Sequence, residues 1–275
     1  MINNKLIQDC IATANNWLKI NRPTAKPISL DEVVSRLNNS SSFLGTSSDA
    51  KTIKGTKQGY LTGILYLAPA DICKINLCPA AKTCLEDCLF NAGRGRFANV
   101  SRARIVKTLA FLYNKPKFEE HLAKDINKLI KQAETKNMIP TVRLNGTSDI
   151  FIDKVFKRLL NDFSQVQFYD YTKVAVKFAK SLPKNYDLTF SFDGTNWKDS
   201  LNVLKNKGRV AVVFKNGLPT EFDGYKVING DDTDLRFLDD TGIIIGLNAK
   251  GSAKKDEANE LFIIDSNTDT RCKFS

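Results

Sequence analysis

The chain has 275 residues, 42% of them hydrophobic, six cysteines and a formal net charge of +11 at pH 7. That composition supports a sizeable core without disulfide staples, and no stretch approaches the ~18–20 apolar residues of a bilayer crossing, so no membrane partner is expected. The N-terminal MINNKLIQDC lacks the apolar run and cleavage site of a secretory signal, so the expected location is the cytoplasm, where thiols stay reduced.

In chain order, residues 5–19 place Leu6, Ile7, Cys10, Ile11, Ala14, Trp17 and Leu18 on one helical stripe. After a Pro-containing break, Ser29 opens a capping box with Glu32 and a short helix to about Asn38. Residues 39–57 read as loop, and 1–57 as an N-terminal extension to a domain over 58–275. Beyond it, strands are expected at 60–68, 140–145, 165–171, 186–192, 209–214, 225–229 and 242–247. Helices are expected at 98–113, 116–136, 150–161, 173–181 and 197–206. VAVVF and GIIIGL are apolar on both faces, as in covered parallel strands. This alternation predicts an α/β fold, an incomplete (β/α) barrel of six to seven mainly parallel strands. The last strands follow too closely for a complete eight-unit barrel.

Four cysteines, Cys73, Cys78, Cys84 and Cys88, follow the first of these strands as C-x4-C-x5-C-x3-C. In a reducing compartment such a cluster reads as a metal site more readily than as disulfides. Zinc and an iron–sulfur cluster both suit thiolates on a short loop, and the bland alternative is free or core cysteines. The absence of a tight C-x2-C arm weakens zinc. Cys10 and Cys272 lie far from the cluster and read as small apolar residues.

Polar residues gather at the C-terminal ends of the predicted strands, where ligands bind in parallel α/β folds. Arg143, Asn145, Asp149, Asp170 and Lys173 are the catalytic candidates, and Ser148 and Asp193 the cofactor-binding ones. Any one such loop is better read as a turn or cap; five at one end of one sheet suggest a rim. His121 is the one histidine and reads as a surface or packing residue, which argues against Ser-His-Asp and Cys-His catalysis.

Residues 1–140 hold 21 Lys and Arg against 11 Asp and Glu, and the remainder 20 against 19. The basic excess therefore sits in the half that carries the cysteines, and suits a polyanionic partner such as nucleic acid. Arg94, Arg96, Arg102 and Arg104 are the candidates for that contact or for an anion. A solvated basic face explains them equally well.

Three cysteines on a loop after the first strand of such a fold resemble the layout of radical S-adenosylmethionine enzymes. In those, a [4Fe–4S] cluster leaves one iron free for S-adenosylmethionine. Their usual C-x3-C-x2-C spacing differs from the C-x5-C-x3-C of Cys78, Cys84 and Cys88. A second resemblance rests on LCPAAKTCLEDCLFNAGRGRF with SRARIVKT behind it, and on VRLNGTSDI, VQFYDYTK, DLTFSFD, INGDDTDLRFLD and GLNAKGSAKKD. Together these are similar to the mycobacteriophage gene product 88 family of phage and plasmid proteins, over roughly residues 51–256. That resemblance implies a mobile-element origin in a host cytoplasm, with Cys73 matching the pattern least. The leading expectation is an iron–sulfur enzyme of unknown substrate; the rival is a zinc-knuckle nucleic-acid-binding or nuclease-like protein.

Overall fold

The computed structural model describes residues 3–46, 50–85, 88–179, 181–250, 254 and 261–274. Helix α1 (Asn4–Asn21) buries Ile7, Cys10, Ile11, Ala14 and Leu18, the stripe its 3.6-residue period demands. Helix α2 (Leu30–Asn38) starts where Ser29 Oγ accepts from the Glu32 amide at 3.2 Å. The Glu32 carboxylate does not complete the capping box. It forks onto Arg102, with both contacts at 2.6 Å, and so fastens α2 to a helix far along the chain.

The segment 39–57 is more ordered than its composition suggests. It holds strand β1 (Leu44–Thr46) and helix α3 (Ala50–Thr56). Strand β2 (Tyr60–Leu65) leads to the cysteine loop, which runs in short 3-10 turns to α4 (Ala98–Tyr113) and α5 (Lys115–Thr135). Asn114 caps α5, with Pro116 in its first turn, so the two helices meet at a sharp break.

Then follow β3 (Ile139–Arg143), α6 (Ile152–Val155), α7 (Lys157–Asp162), β4 (Gln167–Thr172), β5 (Tyr186–Ser191), α8 (Trp197–Lys205) and β6 (Arg209–Lys215). The expected helix 150–161 is thus broken in two at Phe156, whose fully buried ring takes part in the aromatic core. The expected helix 173–181 is a 3-10 turn, Ala175–Ala179. The remainder is β7 (Glu221–Phe222), β8 (Tyr225–Asn229), β9 (Ile243–Asn248), β10 (Ile263–Asp265) and β11 (Cys272–Lys273).

All seven expected strands are present. Among the described residues the sheet has eleven strands, in the order β1-β2-β3-β4-β5-β6-β9-β8-β7-β11, with β10 beside β6. Strands β2 to β6, β9 and β8 run parallel, whereas β1, β7 and β11 pair antiparallel at the two ends. The sheet is not closed, and the expectation is met as far as a mostly parallel α/β sheet. β1 lies on the free side of β2, and the β7–β11 ribbon lies on the free side of β8, so the two edges meet these strands rather than each other. The fold is mixed α/β with an open, mostly parallel sheet.

The two faces of the sheet differ in chemistry. On one, Leu61, Leu65, Val142, Phe168 and Leu188 pack with α1, α4, α5 and α7 into the main core. Phe190, Val210, Val212 and Phe214 continue it under α8. The other face is mixed: Ala211, Ile243 and Ile245 form a small apolar cluster on it, Thr62 and Thr141 bond to each other at 2.8 Å, and Arg143 pairs with Asp234 at 2.8 Å. The segment after β8 crosses this face. Phe237 meets the rings of Tyr60 and Tyr169, with centroids 5.6 and 5.4 Å away, and the Tyr171 hydroxyl donates to Asp234.

Burial penalises the Arg143 charge, but Asp234 and the neighbouring phenols outweigh it and hold the guanidinium charged. Removing one member of a buried pair strands the other, at a cost of about 3–5 kcal/mol. Arg143→Met should therefore lose about that much in urea unfolding, and Arg143→Met/Asp234→Asn markedly less than the sum of the single losses. Additive losses would mean the two charges are not coupled.

Candidate functional site

The cysteine loop lies across the C-terminal ends of β2 to β5 and is fastened there by short polar contacts. Thr147 Oγ1 donates to the Leu67 carbonyl at 2.5 Å, and the Asp149 amide to the Leu77 carbonyl at 2.8 Å. The Thr83 hydroxyl donates to the Asp193 carbonyl, which joins the loop to the end of β5. Gly146 makes the approach possible, since a Cβ there would stand 2.7 Å from the Leu65 carbonyl oxygen.

Three cysteines share this surface. Cys78 Sγ lies 3.8 Å from the Thr147 carbonyl oxygen. Burial pushes the Cys78 thiol up to about 11, against a backbone hydrogen bond at Ala70; Cys88 and Asp149 add to the rise and Lys173 opposes it. Burial likewise raises Cys88, against a backbone hydrogen bond at Phe90; Cys84 adds to the rise, and Lys173 and Arg104 oppose it. Cys88 thus feels the other two thiols and two cations. Cys73, counted with them on sequence, stands elsewhere. Its side chain is 1% exposed within the main core, and burial, with Cys10 as its electrostatic neighbour, drives its thiol far above the usual range. The first cysteine of the run is a core residue because Leu77, Leu67 and α1 enclose it. Among the described residues, no three His, Cys, Asp or Glu side chains are close enough to enclose one metal ion.

The strand-end candidates divide into two groups. Asn145 and Ser148 organise the backbone. Asn145 Oδ1 accepts from Ser148 Oγ and the Ile150 amide at 2.9 and 3.0 Å, and its own amide donates to Asp170 at 2.7 Å. Asp193 caps the turn into α8 by accepting from Thr195 and Asn196. Asp149 has both oxygens engaged, one by the Lys173 amide at 2.8 Å and one by Lys177 Nζ at 2.6 Å. Asp170 is buried beneath the strand ends, and the half-buried Arg143 pairs with Asp234.

Lys173 is the candidate that faces the thiols. Its Nζ donates to Ser191 Oγ at 3.3 Å and lies 5.9 Å from the Phe262 ring. Sequence reasoning did not single out Thr83, Thr147, Lys177, Ser191 or Phe262. Lys177 was one lysine among many in an expected helix. Phe262 belongs to no motif and reaches the site only because β10 docks beside β6.

The basic segment is also split. Arg102 bonds Glu32 and the Lys26 and Pro27 carbonyls. Arg104 lies over the rings of Tyr66 and Phe90, at 4.4 and 5.6 Å. Arg94 and Arg96, in the 3-10 turn Gly93–Arg96, are exposed. His121 is buried against Phe43, and its Nε2 lies 3.0 Å from the Ser41 carbonyl oxygen.

A family model described as Gene product 88 matches residues 41–266, from just before β1 to just after β10. The chain belongs to the Gene product 88 family. The matched span takes in the cysteine loop, every strand-end loop described above and Phe262, and leaves α1 and α2 outside. No curated protein and no solved structure matches the chain. Among the described residues, no helix is long and apolar enough to cross a membrane.

Asp170 gives this Gene product 88 site a pH signature. Burial pushes its carboxyl up to about 7, against Arg143, the Asn145 amide, Lys177 and Tyr186. A carboxyl raised in the folded state binds more protons folded than unfolded between its two pKa values. Its contribution to stability is present at low pH and is lost as pH rises from about 4 to about 7. Asp170→Asn keeps an acceptor for the Asn145 amide and should flatten this part of the stability–pH curve. Thermal melting of both proteins across that window checks it; an unchanged slope would clear Asp170 as the source.

Proposed function

We propose that the Cys78, Cys84 and Cys88 thiols hold an iron–sulfur cluster, and that the protein is a phage- or plasmid-encoded enzyme built around it. The observation that carries this reading is the placement of Cys78 at the strand ends, its Sγ 3.8 Å from the Thr147 carbonyl oxygen, with Cys88 and Lys173 acting on its charge and Cys84, Lys173 and Arg104 on that of Cys88. The residues fit such a group in number, softness and charge. Three thiolates bring negative charge, and the two cations offset it. With Cys73 in the core, a four-cysteine zinc knuckle is one ligand short.

When bound, the cluster supplies one-electron chemistry, and an iron without a thiolate is open to a chelating cofactor such as S-adenosylmethionine. The chain's own groups do the rest. Lys173 presents its ammonium beside the thiols to hold an anionic group of the substrate or cofactor. Asp149, Asn145 and Ser148 hold the loop that faces it, and Arg143 and Asp170 support these from below. The accompanying fold reading is an incomplete (β/α) barrel, with the 230–240 segment lying where further strands would complete the ring. Phe237, in contact with rings from both β2 and β4, supports it.

Anaerobic purification with iron, sulfide and zinc analysis tests this. The protein should be brown, with near-equal iron and sulfide. Cys84→Ser should remove the colour and Cys272→Ser leave it. Cys73→Ser, which puts a hydroxyl into the core, should lower the melting temperature while folded protein still takes up iron. S-adenosylmethionine should perturb the reduced cluster's spectrum. One zinc per chain without iron, or protein free of metal under these conditions, would overturn the reading.

A further inference from the structure

One surface joins several independent features. A groove of about 640 Å³ runs between the break after α1 and the start of α4, lined by Thr24, Ala25, Lys26, Phe97, Ala98, Asn99 and Arg102. No carboxylate is among those residues. Phe97 is 60% exposed, although its neighbours along the chain enter the core through Phe90 and Ile105. Arg94 and Arg96 precede it in an exposed turn and pair with no described carboxylate. Arg102 is held by Glu32 and two carbonyls at the groove wall, so its side chain is fixed rather than loose.

We infer that this groove binds single-stranded nucleic acid, with Phe97 as a stacking platform and Lys26, Arg94 and Arg96 on the phosphates. The argument is charge complementarity together with an aromatic face. A large exposed ring among cations has no role in folding. A base stacked on it removes its apolar face from water, which is how strand-tolerant binders combine backbone attraction with stacking. A duplex hides its base faces, so the ring favours a single strand. The basic excess of residues 1–140 supplies the longer-range attraction. The groove is independent of any metal, but its turn follows directly on Leu89 and Cys88.

Fluorescence anisotropy with a labelled oligothymidylate of about 12 nucleotides tests this, against a duplex of the same length. The full chain should bind the single strand at about 50 mM salt and prefer it to the duplex, with affinity falling linearly in log–log salt plots. Phe97→Ala should weaken single-strand binding about tenfold and leave the salt slope unchanged. Arg94→Gln and Arg96→Gln should each reduce the slope by ~0.7. All three side chains are exposed, and an unchanged melting temperature verifies folding. No binding at that salt, equal affinity for the duplex, or full affinity in Phe97→Ala would overturn the inference. The assay is repeated on Cys84→Ser, where the same affinity is expected. An affinity that followed metal content would overturn the groove as the binding site, and a failed iron analysis alone would not.

Discussion

Residue 149 is where the upper end of this molecule is tied together. Its amide reaches back to Leu77 in the cysteine loop, one carboxylate oxygen takes the Lys173 amide, and the other takes Lys177 from the turn beyond β4. Two segments far apart in sequence, the cysteine loop and the turn after β4, are fixed by one aspartate. Lys177 is almost fully buried, and its Nζ donates to this carboxylate and to the Ile150 carbonyl. The surface on which Cys78, Cys88 and Lys173 stand is therefore rigid for a reason that lies one layer below them. Asn145 serves the same end, holding the turn from inside so that Asp149 faces the correct way.

Beneath that surface the two sheet faces obey different rules. The helical face is a hydrophobic core, with Phe43, Phe111, Phe118 and Phe156 in ring contact. The opposite face combines a small apolar cluster with buried polar groups. It is tolerable because its charges are matched: Arg143 with Asp234, Arg209 with Asp187, and Arg236 with Asp239. Matched buried charges add little net stability, but they penalise any misplacement of the segment that carries Asp234 and Asp239. That segment is what keeps the open sheet from presenting an unfilled inner face.

The strands were legible because the core strands are apolar on both faces and separated by clear turns, which is a local property. The placement of polar residues at strand ends was legible for the same reason. The chemistry of those residues was not. Asn145 looks like a catalytic group and Ser148 like a cofactor-binding one, and both hydrogen-bond within their own turn, because what a polar side chain does depends on which groups fall beside it. Cys73 could not be separated from Cys78 on spacing, since the turn through Ala70 and Lys74, both with positive φ, sends one thiol into the core and the other to the surface. Helix 173–181 failed because Lys177 is drawn inward to Asp149, which no helical register on the surface allows. Closure of the barrel is a question of where the last strands go, and periodicity carries no information on that.

Strands β2 to β6 each pair with the strand made before them, so this part of the sheet can assemble in the order of synthesis. β10 does not follow that order. It returns from far along the chain to pair with Val213, Phe214 and Lys215, beyond the residues of β6 that β5 covers. With it comes Phe262, which lies over Lys173. During synthesis Lys173 is thus in place before the ring that lies against it, and the ammonium keeps an uncovered side until the late strand docks.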